Sequence, residues 1–516
     1  MAPSPWLVGL LFGAGALLGA ACTNLQDPKE SDSESDSSVD CPIGSVNCRC
    51  TNAGTCDPGL VCASDTCTPG ADETGEEGSS TGDSPTTDIM TSESSSGALD
   101  ECDPEGDGAV DPACAAGTPY CLDGACVDCG GISCAAVSPN LPTCDADTGL
   151  CAACDCDEAN PVCDAVEHTC SKCNDHDQCP GSACDMWSGA CFPIAGALWV
   201  DGASACDDAA SGAEDDPLCT LGEAFTRVQG TPDVAHAIRV RPAIYDEDAP
   251  LSVPDGGKVA LLHATGGDGV VVAAAAQALT VATGGSLLVD AIEIKDAGGD
   301  GVACTAGHLW LDRLNIAGAG GHGILAEGCD LMLRRSVLTA NFTSGATVNG
   351  ADAHVENSYI SKNGNVDGFG GVYLLGGASL DAVYTSFIDN FATPGVPLSV
   401  ACDVDDDPAI ETVDVRNSVA INQGASTLCP GAMIRTTAWS TMSDPGPSNL
   451  AILYPELAMY LTADPDAAGV YRAIEGTELD QLATWVDGDP GVDFDGDPRP
   501  SGDNSPDFAG ADRVSQ

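Results

Sequence analysis

From about Ala197 onward the apolar positions recur with a long, regular period. Ile292, Leu314, Ser336, Ser358, Ser386 and Ser418 serve as markers, separated by 22, 22, 22, 28 and 32 residues. Three residues before each marker stand Val289, Leu311, Leu333, Val355, Val383 and Val415, all aliphatic. Two residues after each stand Ile294, Ile316, Leu338, Ile360, Ile388 and Ala420. The two apolar columns are an odd number of residues apart, so one straight strand cannot point both toward the same side. A bend must separate them. Strand, bend, strand and return turn in about 22 residues describe one coil of a parallel β-helix, with neighbouring coils about 4.8 Å apart.

Stacking such coils buries the apolar columns and pairs every strand with the rungs above and below. Asn341, Asn363, Asn390 and Asn422 recur four or five residues after a marker and are expected to stack in a turn. Asp290, Asp312, Arg334, Glu356, Tyr384 and Arg416 form a column expected outside the barrel, with Asp312 over Arg334 as a minor ion pair. The longer intervals predict loops at 364–371 and 392–409.

Residues 197–228 predict a strand, a loop closed by Cys206 and Cys219, and a short helix. Thr220 and Glu223 read as a capping box, while Leu221, Phe225 and Val228 share one face. That face would cover the open end of the helix and shield its strand edge. The fold class is therefore all-β: a right-handed parallel β-helix over 197–516 with an N-terminal capping helix.

The front of the chain is different. The apolar run from Trp6 to Ala21 has the length of a signal-peptide core and is too short to span a bilayer. Gly19-Ala20-Ala21-Cys22 resembles a bacterial lipobox, which implies a signal peptide over 1–21 and a lipid on Cys22. No Lys or Arg precedes the run, and Leu18 stands one position early for that motif. Residues 22–40 are rich in Ser, Asp and Glu and predict a disordered tether. A small disulfide module at 41–67 follows, then a second disordered linker at 68–101 and a Cys-rich repeat stalk at 102–193.

Cysteine spacing supports export. Of 29 Cys, six lie between Cys41 and Cys67 and sixteen between Cys102 and Cys191. Cys206/Cys219, Cys304/Cys329 and Cys402/Cys429 remain as candidate pairs. Even groups are what closed disulfide sets give in an oxidising compartment. The Cys-x-x-Cys steps and His176 also fit a zinc knuckle, but in an exported chain the disulfide-stapled stalk is the expectation.

Charge narrows the partners. Lys and Arg total 17 against 79 Asp and Glu, a net charge of −62. Such a surface repels phosphate backbones, so nucleic acid is excluded as a partner.

The segments ALWVDGASAC…CTLGEAF…IRVRPAIY, GGVYLLGGASLDAVYTSFIDN and DGDPGVDFDGDPRP resemble surface proteins of the pectate-lyase-like β-helix superfamily. They are similar in particular to polymorphic outer membrane protein repeats. The resemblance covers about 320 residues and implies a fold more firmly than an activity. Enzymes of that superfamily imply two chemistries to look for. Gly321-His322-Gly323 matches a polygalacturonase-like turn, and Asp300, one period earlier, would orient His322 as an acid/base pair. The paired aspartates and Arg-x-Lys strand of that motif are absent, so the plainer reading is a Gly-x-Gly turn backed by Val302, Ile324 and Ala346. Calcium-dependent lyases need a carboxylate cage with a free base, whereas Arg313, Arg334 and Arg335 beside Asp290 and Asp312 read as cross-rung ion pairs. Asp403, Asp405, Asp406 and Asp407 offer hard ligands for calcium, as do Asp487 to Asp497 in the tail, against a reading as solvated acidic faces.

The expectation is an exported, lipid-anchored protein of the outer membrane, at the cell surface or on the periplasmic face. It requires no cofactor and presents a non-catalytic β-helix that binds a polysaccharide or another surface protein. The alternative is a calcium-dependent polysaccharide lyase or a glycoside hydrolase.

Overall fold

The computed structural model describes 156–514, apart from 165–168, 203–206, 265–268, 366–367, 393–398, 404–410, 424–428, 430, 442–444 and 465–466, together with short strand pairs between 60 and 152. The leader, the tether with Cys22, the linker from 70 to 101, Cys206 and Asp405 to Asp407 lie outside the described residues, while Thr68 and Pro69, expected in the disordered linker, end a strand Thr66–Pro69 paired with Leu60–Ala63.

Three parallel sheets wind around one apolar core. The first has 10 strands, from Ala197–Val200 to Met433–Arg435. The second also has 10, from Ile244–Glu247 to Leu450–Ala451, and the third has 7, from Leu251–Val253 to Val400–Cys402. Each strand pairs with its equivalent one coil away, as in Leu311↔Leu333 and Leu333↔Val355. The chain is an all-β parallel solenoid, as the period predicts. Val289, Leu311, Leu333 and Val355 are 1% exposed or less and share one core cluster. Each such side chain stabilises the stack by roughly 1.5–3 kcal/mol.

The bend required by the odd spacing is a single left-handed residue. Ala291, Arg313, Arg335, Asn357, Tyr384, Asn417 and Thr436 all have φ between 41° and 56°. Such conformers cost about 1–2 kcal/mol each away from glycine. The ladder holds the first six there, because each of those corner amides donates to a carbonyl one coil on, as Arg313 N does to Arg334 O at 3.1 Å. One residue later a hydroxyl column bonds from coil to coil: Ser336 N donates to Ser358 Oγ at 3.1 Å.

The second turn contains the expected Asn stack. Asn341, Asn363 and Asn390 each donate a backbone N–H to the next Asn side chain, at 3.1, 3.0 and 2.7 Å. All four, with Asn422, are 1% exposed or less.

Three details differ from the sequence reading. The hydroxyl column passes through Thr385 rather than Ser386, since Thr385 N donates to Ser418 Oγ. On that coil Ala382 and Phe387 face the core, in register with Val355 and Ile360. Val383 and Ile388 point outward instead, and Tyr384 occupies the corner. Second, Asp312 pairs with Arg335 from the corner, while Arg334 pairs with Glu356. Third, Glu223 does not close a capping box. In the helix Leu221–Gly230, Thr220 Oγ1 accepts from Glu223 N, but the Glu223 carboxylate takes Arg227 at 3.0 Å. Asp208 instead accepts the Thr220 N–H. The helix does bury Leu221, Ala224, Phe225 and Val228 in the core cluster, closing the N-terminal end.

The expected domain 197–516 has two parts. Coils run to Ala451, and 452–514 folds back over the outer face of the second sheet. Val337, Tyr359, Val383, Ile388, Val419 and Ile421 meet Leu461, Val470, Tyr471, Trp485 and Phe508 in a second apolar cluster. At the other end the Cys-rich segment docks on the first sheet. Ala183 and Phe192 pack on Ala237, Ala260, Leu262 and Leu288, and Lys258 Nζ reaches Asp185 at 3.0 Å.

Candidate functional site

With the second sheet under the tail and the start of the first sheet under the Cys-rich segment, the middle of the first sheet shows its outward columns to solvent. Strand alternation decides which side chains these are. His308–Asp312, Asp330–Arg334, Asp352–Glu356 and Ser379–Val383 bury their second and fourth residues. The central outward column is therefore Trp310, Met332, His354 and Asp381, in register from coil to coil.

At the Cys-rich end of this column the rings gather. Trp187, 40% exposed, stands edge-on to Trp310 at 6.0 Å and 5.7 Å from the His308 ring. The Arg334 guanidinium lies 5.6 Å from the centre of Trp310. Further along, His354 Nδ1 meets Asp381 Oδ2 at 3.0 Å and Nε2 meets Glu356 Oε2 at 3.3 Å. Burial alone would lower the His354 pKa, but the hydrogen bonds and charges of Asp381 and Glu356 push it up to about 9. Burial likewise works against the Glu356 charge, yet His354 and Arg334 hold that carboxyl below its ordinary range. At neutral pH the cluster is an imidazolium between two carboxylates, a rigid donor–acceptor surface rather than a proton acceptor.

The residues singled out in the sequence fall elsewhere. His322 and Ser344 do pair across adjacent coils, on the third sheet. Asp300 does not orient the ring: its Oδ1 accepts the His322 backbone N–H at 2.8 Å and its Oδ2 accepts Gln277 Nε2 at 3.0 Å. The ring Nδ1 faces Ser344 Oγ at 2.8 Å and Thr347 Oγ1 at 2.9 Å. Burial lowers the His322 pKa, against the pull of Asp300 and Glu327. The flanking glycine has a packing reason, since a Cβ at Gly323 would lie 2.5 Å from Gly345 O and 2.7 Å from Asn341 Nδ2. Val302, Ile324 and Ala346 stand in the core behind this turn.

Arg313 and Arg335 are each spent on a carboxylate, Asp290 and Asp312. Asp403 follows a strand ending at Cys402, which is bonded to Cys429, and its cluster mates are not described. The tail aspartates are split between the interior and a solvated face. Asp489 and Asp493 are buried, Asp489 pairs with Arg416, and Asp493 Oδ1 accepts Asp497 N at 2.8 Å, while Asp487, Asp495 and Asp497 are exposed.

Cys304–Cys329 bridges adjacent coils, Cys219 is disulfide-bonded, and Cys156–Cys170, Cys173–Cys184 and Cys179–Cys191 staple the docked segment. The sulfurs of Cys173, Cys179 and Cys191 lie close together, but as disulfide sulfurs they are not thiolate ligands. His176 is buried, and its Nδ1 accepts Cys184 N at 3.2 Å. Those bonds satisfy the group that resembles a zinc knuckle.

Residues 95–197 match a family described as of unknown function (DUF8331). No curated protein matches the chain. Among solved structures the chain is similar to "Crystal structure of pectate lyase Pel9A", at 13% identity and TM-score 0.30, over 62% of this chain and 96% of that one. It is also similar to "Rhamnogalacturonan lyase", at 14% identity and TM-score 0.19, over 50% and 65%. The solenoid itself rests on the paired ladders described above.

Proposed function

We propose that this chain is an exported surface protein, held to the outer membrane by a lipid on Cys22, whose β-helix binds polysaccharide without cleaving it. The leader, the acidic tether and the paired cysteines of the sequence support the export and the anchor. The observation that carries the non-catalytic reading is the His354 cluster. His354, already protonated between Asp381 and Glu356 at neutral pH, is not available there as a general base. Arg334, the base a lyase would need on this face, is committed to Glu356.

The test is incubation of the full chain with polygalacturonate and with neutral glycans, with and without calcium because of the Asp403–Asp407 cluster. Neither unsaturated uronates nor new reducing ends are expected. Release of either, lost on His354→Gln, overturns the reading in favour of a lyase or hydrolase. For the anchor, labelled palmitate should enter the wild-type chain and not Cys22→Ala.

A further inference from the structure

Where the tail covers the second sheet, two aspartates are buried against each other. Asp493 and Asp512 are both 2% exposed, and their carboxyl groups stand within hydrogen-bond reach. Asp493 opens the loop Asp493-Phe494-Asp495-Gly496-Asp497. Its N–H donates to Asp497 O at 2.9 Å, and Asp497 N donates back to Asp493 Oδ1 at 2.8 Å. Phe494 N donates to Ala511 O at 3.1 Å, which brings Asp512 beside the loop. Two carboxyl groups this close and away from water need a proton or a cation between them.

Arg472 meets that need only in part. It reaches Asp464 at 3.2 Å, Asp495 at 2.9 Å and Asp512 Oδ2 at 3.4 Å. Its Nε makes no hydrogen bond to Asp512, and Oδ2 of that residue accepts none. Asp493 has no ion pair among the described residues, and Arg499, the next cation along the chain, is spent on Asp507. Four carboxyl groups thus share one guanidinium.

A second observation comes from the solenoid side. Tyr359 is fully buried, its ring edge-on to Phe494 at 4.9 Å, and its hydroxyl has no hydrogen-bond partner. The charges that act on this hydroxyl are those of Asp512, Arg472, Asp495 and Asp493, so it faces the same cluster. Leaving a buried hydroxyl unpaired costs about 1–3 kcal/mol. A hydrated cation meets both deficits: its charge suits the carboxylates, and a water bound to it gives the hydroxyl a partner.

We propose that Asp493 and Asp512, with Asp495 at the rim and water completing the shell, bind calcium between the tail and the coils. Convergent carboxylates at irregular spacing suit calcium, whose coordination is flexible, better than magnesium, which demands a near-ideal octahedron. Tyr359 positions a coordinated water. Because Asp512 belongs to the tail and Tyr359 to a coil, the ion tightens one against the other. The site lies away from the His354 cluster and does not depend on the binding function proposed above.

The experiment strips the full chain with a chelator and titrates it with calcium at physiological ionic strength. Magnesium is present to occupy the diffuse acidic surface. Calorimetry, melting temperature and limited proteolysis within 452–514 are the readouts. The expected result is a saturable calcium site that raises the melting temperature and protects the tail. Asp493→Asn and Asp512→Asn should weaken binding at least tenfold and abolish both effects, whereas Asp403→Asn should keep them. Asp495→Asn, at the exposed rim, should weaken binding in a variant whose folding is not at risk. Protection that survives the variants at 493, 495 and 512 puts the ion elsewhere and overturns the site. Equal effects of magnesium and calcium reduce it to charge screening and overturn it too. No effect of calcium overturns it as well, and leaves Asp493 and Asp512 a pair that shares only a proton.

Discussion

The guanidinium of Arg499 lies 3.7 Å from the centre of the Tyr384 ring. A cation from the tail thus rests on the bulkiest of the left-handed corner residues. Arg499 has a side-chain exposure of 0%. It donates to Asn357 Oδ1, Asp507 Oδ2, and the carbonyls of Gly510 and Ala511, at 2.9–3.2 Å.

Replacing Arg499 by Ala leaves Asp507 buried without its cation and Asn357 without two donors. Breaking a buried pair in this way costs about 3–5 kcal/mol. Urea unfolding should show a loss of that size, and limited proteolysis should cut between 452 and 514 in the variant first. A midpoint unchanged within about 0.5 kcal/mol would remove Arg499 from its place as the main polar clip of the tail.

Asn363 sits in the middle of the turn ladder, accepting from Asn341 and donating to Asn390 Oδ1 and Leu338 O. Asn363→Ala strands buried donors and an acceptor, each at about 1–3 kcal/mol. The variant should melt well below the wild type, while the exposed Asp352→Asn should not.

His354 links stability to pH. Its folded pKa of about 9 lies above the ordinary imidazole value near 6.5. The folded state therefore holds the proton more tightly. The stabilisation is complete below about pH 6.5 and disappears as pH rises through 9. An imidazole proton titration by NMR should show a midpoint near 9, and His354→Gln should flatten the stability profile between 6.5 and 9. A midpoint near 6.5 would refute the closed cluster.

The tail contains a second titrating group. Burial, reinforced by Asp493 and Asp495 and opposed by Arg472, pushes the Asp512 carboxyl up to about 8. An unfolded aspartate titrates near 3.9, so the native state binds the extra proton across that window. Stability from this group is full below about pH 4 and falls as pH rises through 8. Asp512→Asn should remove most of that slope, and a slope unchanged in the variant would exclude Asp512 as its source.

Cys304 and Cys329 close a loop with a sequence separation of 25. Opening such a loop by Cys304→Ala with Cys329→Ala should cost about 3 kcal/mol in the chain-entropy picture. Thermal unfolding of the double variant against the oxidised wild type reads this directly.

The solenoid was legible because inward aliphatics repeat at 22 where the coils are regular and their outer face is wet. At Val383-Tyr384-Thr385-Ser386-Phe387-Ile388 the contrast disappears, since the tail covers the outside and both faces are apolar. Either Thr385 or Ser386 then serves as the marker by eye, and one step of error exchanges Ala382 with Val383 and Phe387 with Ile388. The sequence sets Asp312 against Arg334 because the left-handed corner that aims Arg335 back at it leaves no local signature. His354 does carry a sequence signal: in Asp352-Ala353-His354-Val355-Glu356 the alternation alone places it outward, beside Glu356. The meeting of Trp187 with Trp310 had none, since it depends on how the stapled segment docks.

Repeat arrays ordinarily fray from their ends, each coil being secured only by its neighbours. Here the tail reaches across several coils: Val492 O accepts from Asn357, Gly469 O from Ser361, Ala511 N donates to Ser386 and Thr484 O accepts from Asn417. Such a brace ties sequential units into one block, so the C-terminal half must unravel all at once rather than rung by rung. In the exported role proposed above, that would deny a protease the loosened terminal turn from which digestion would start.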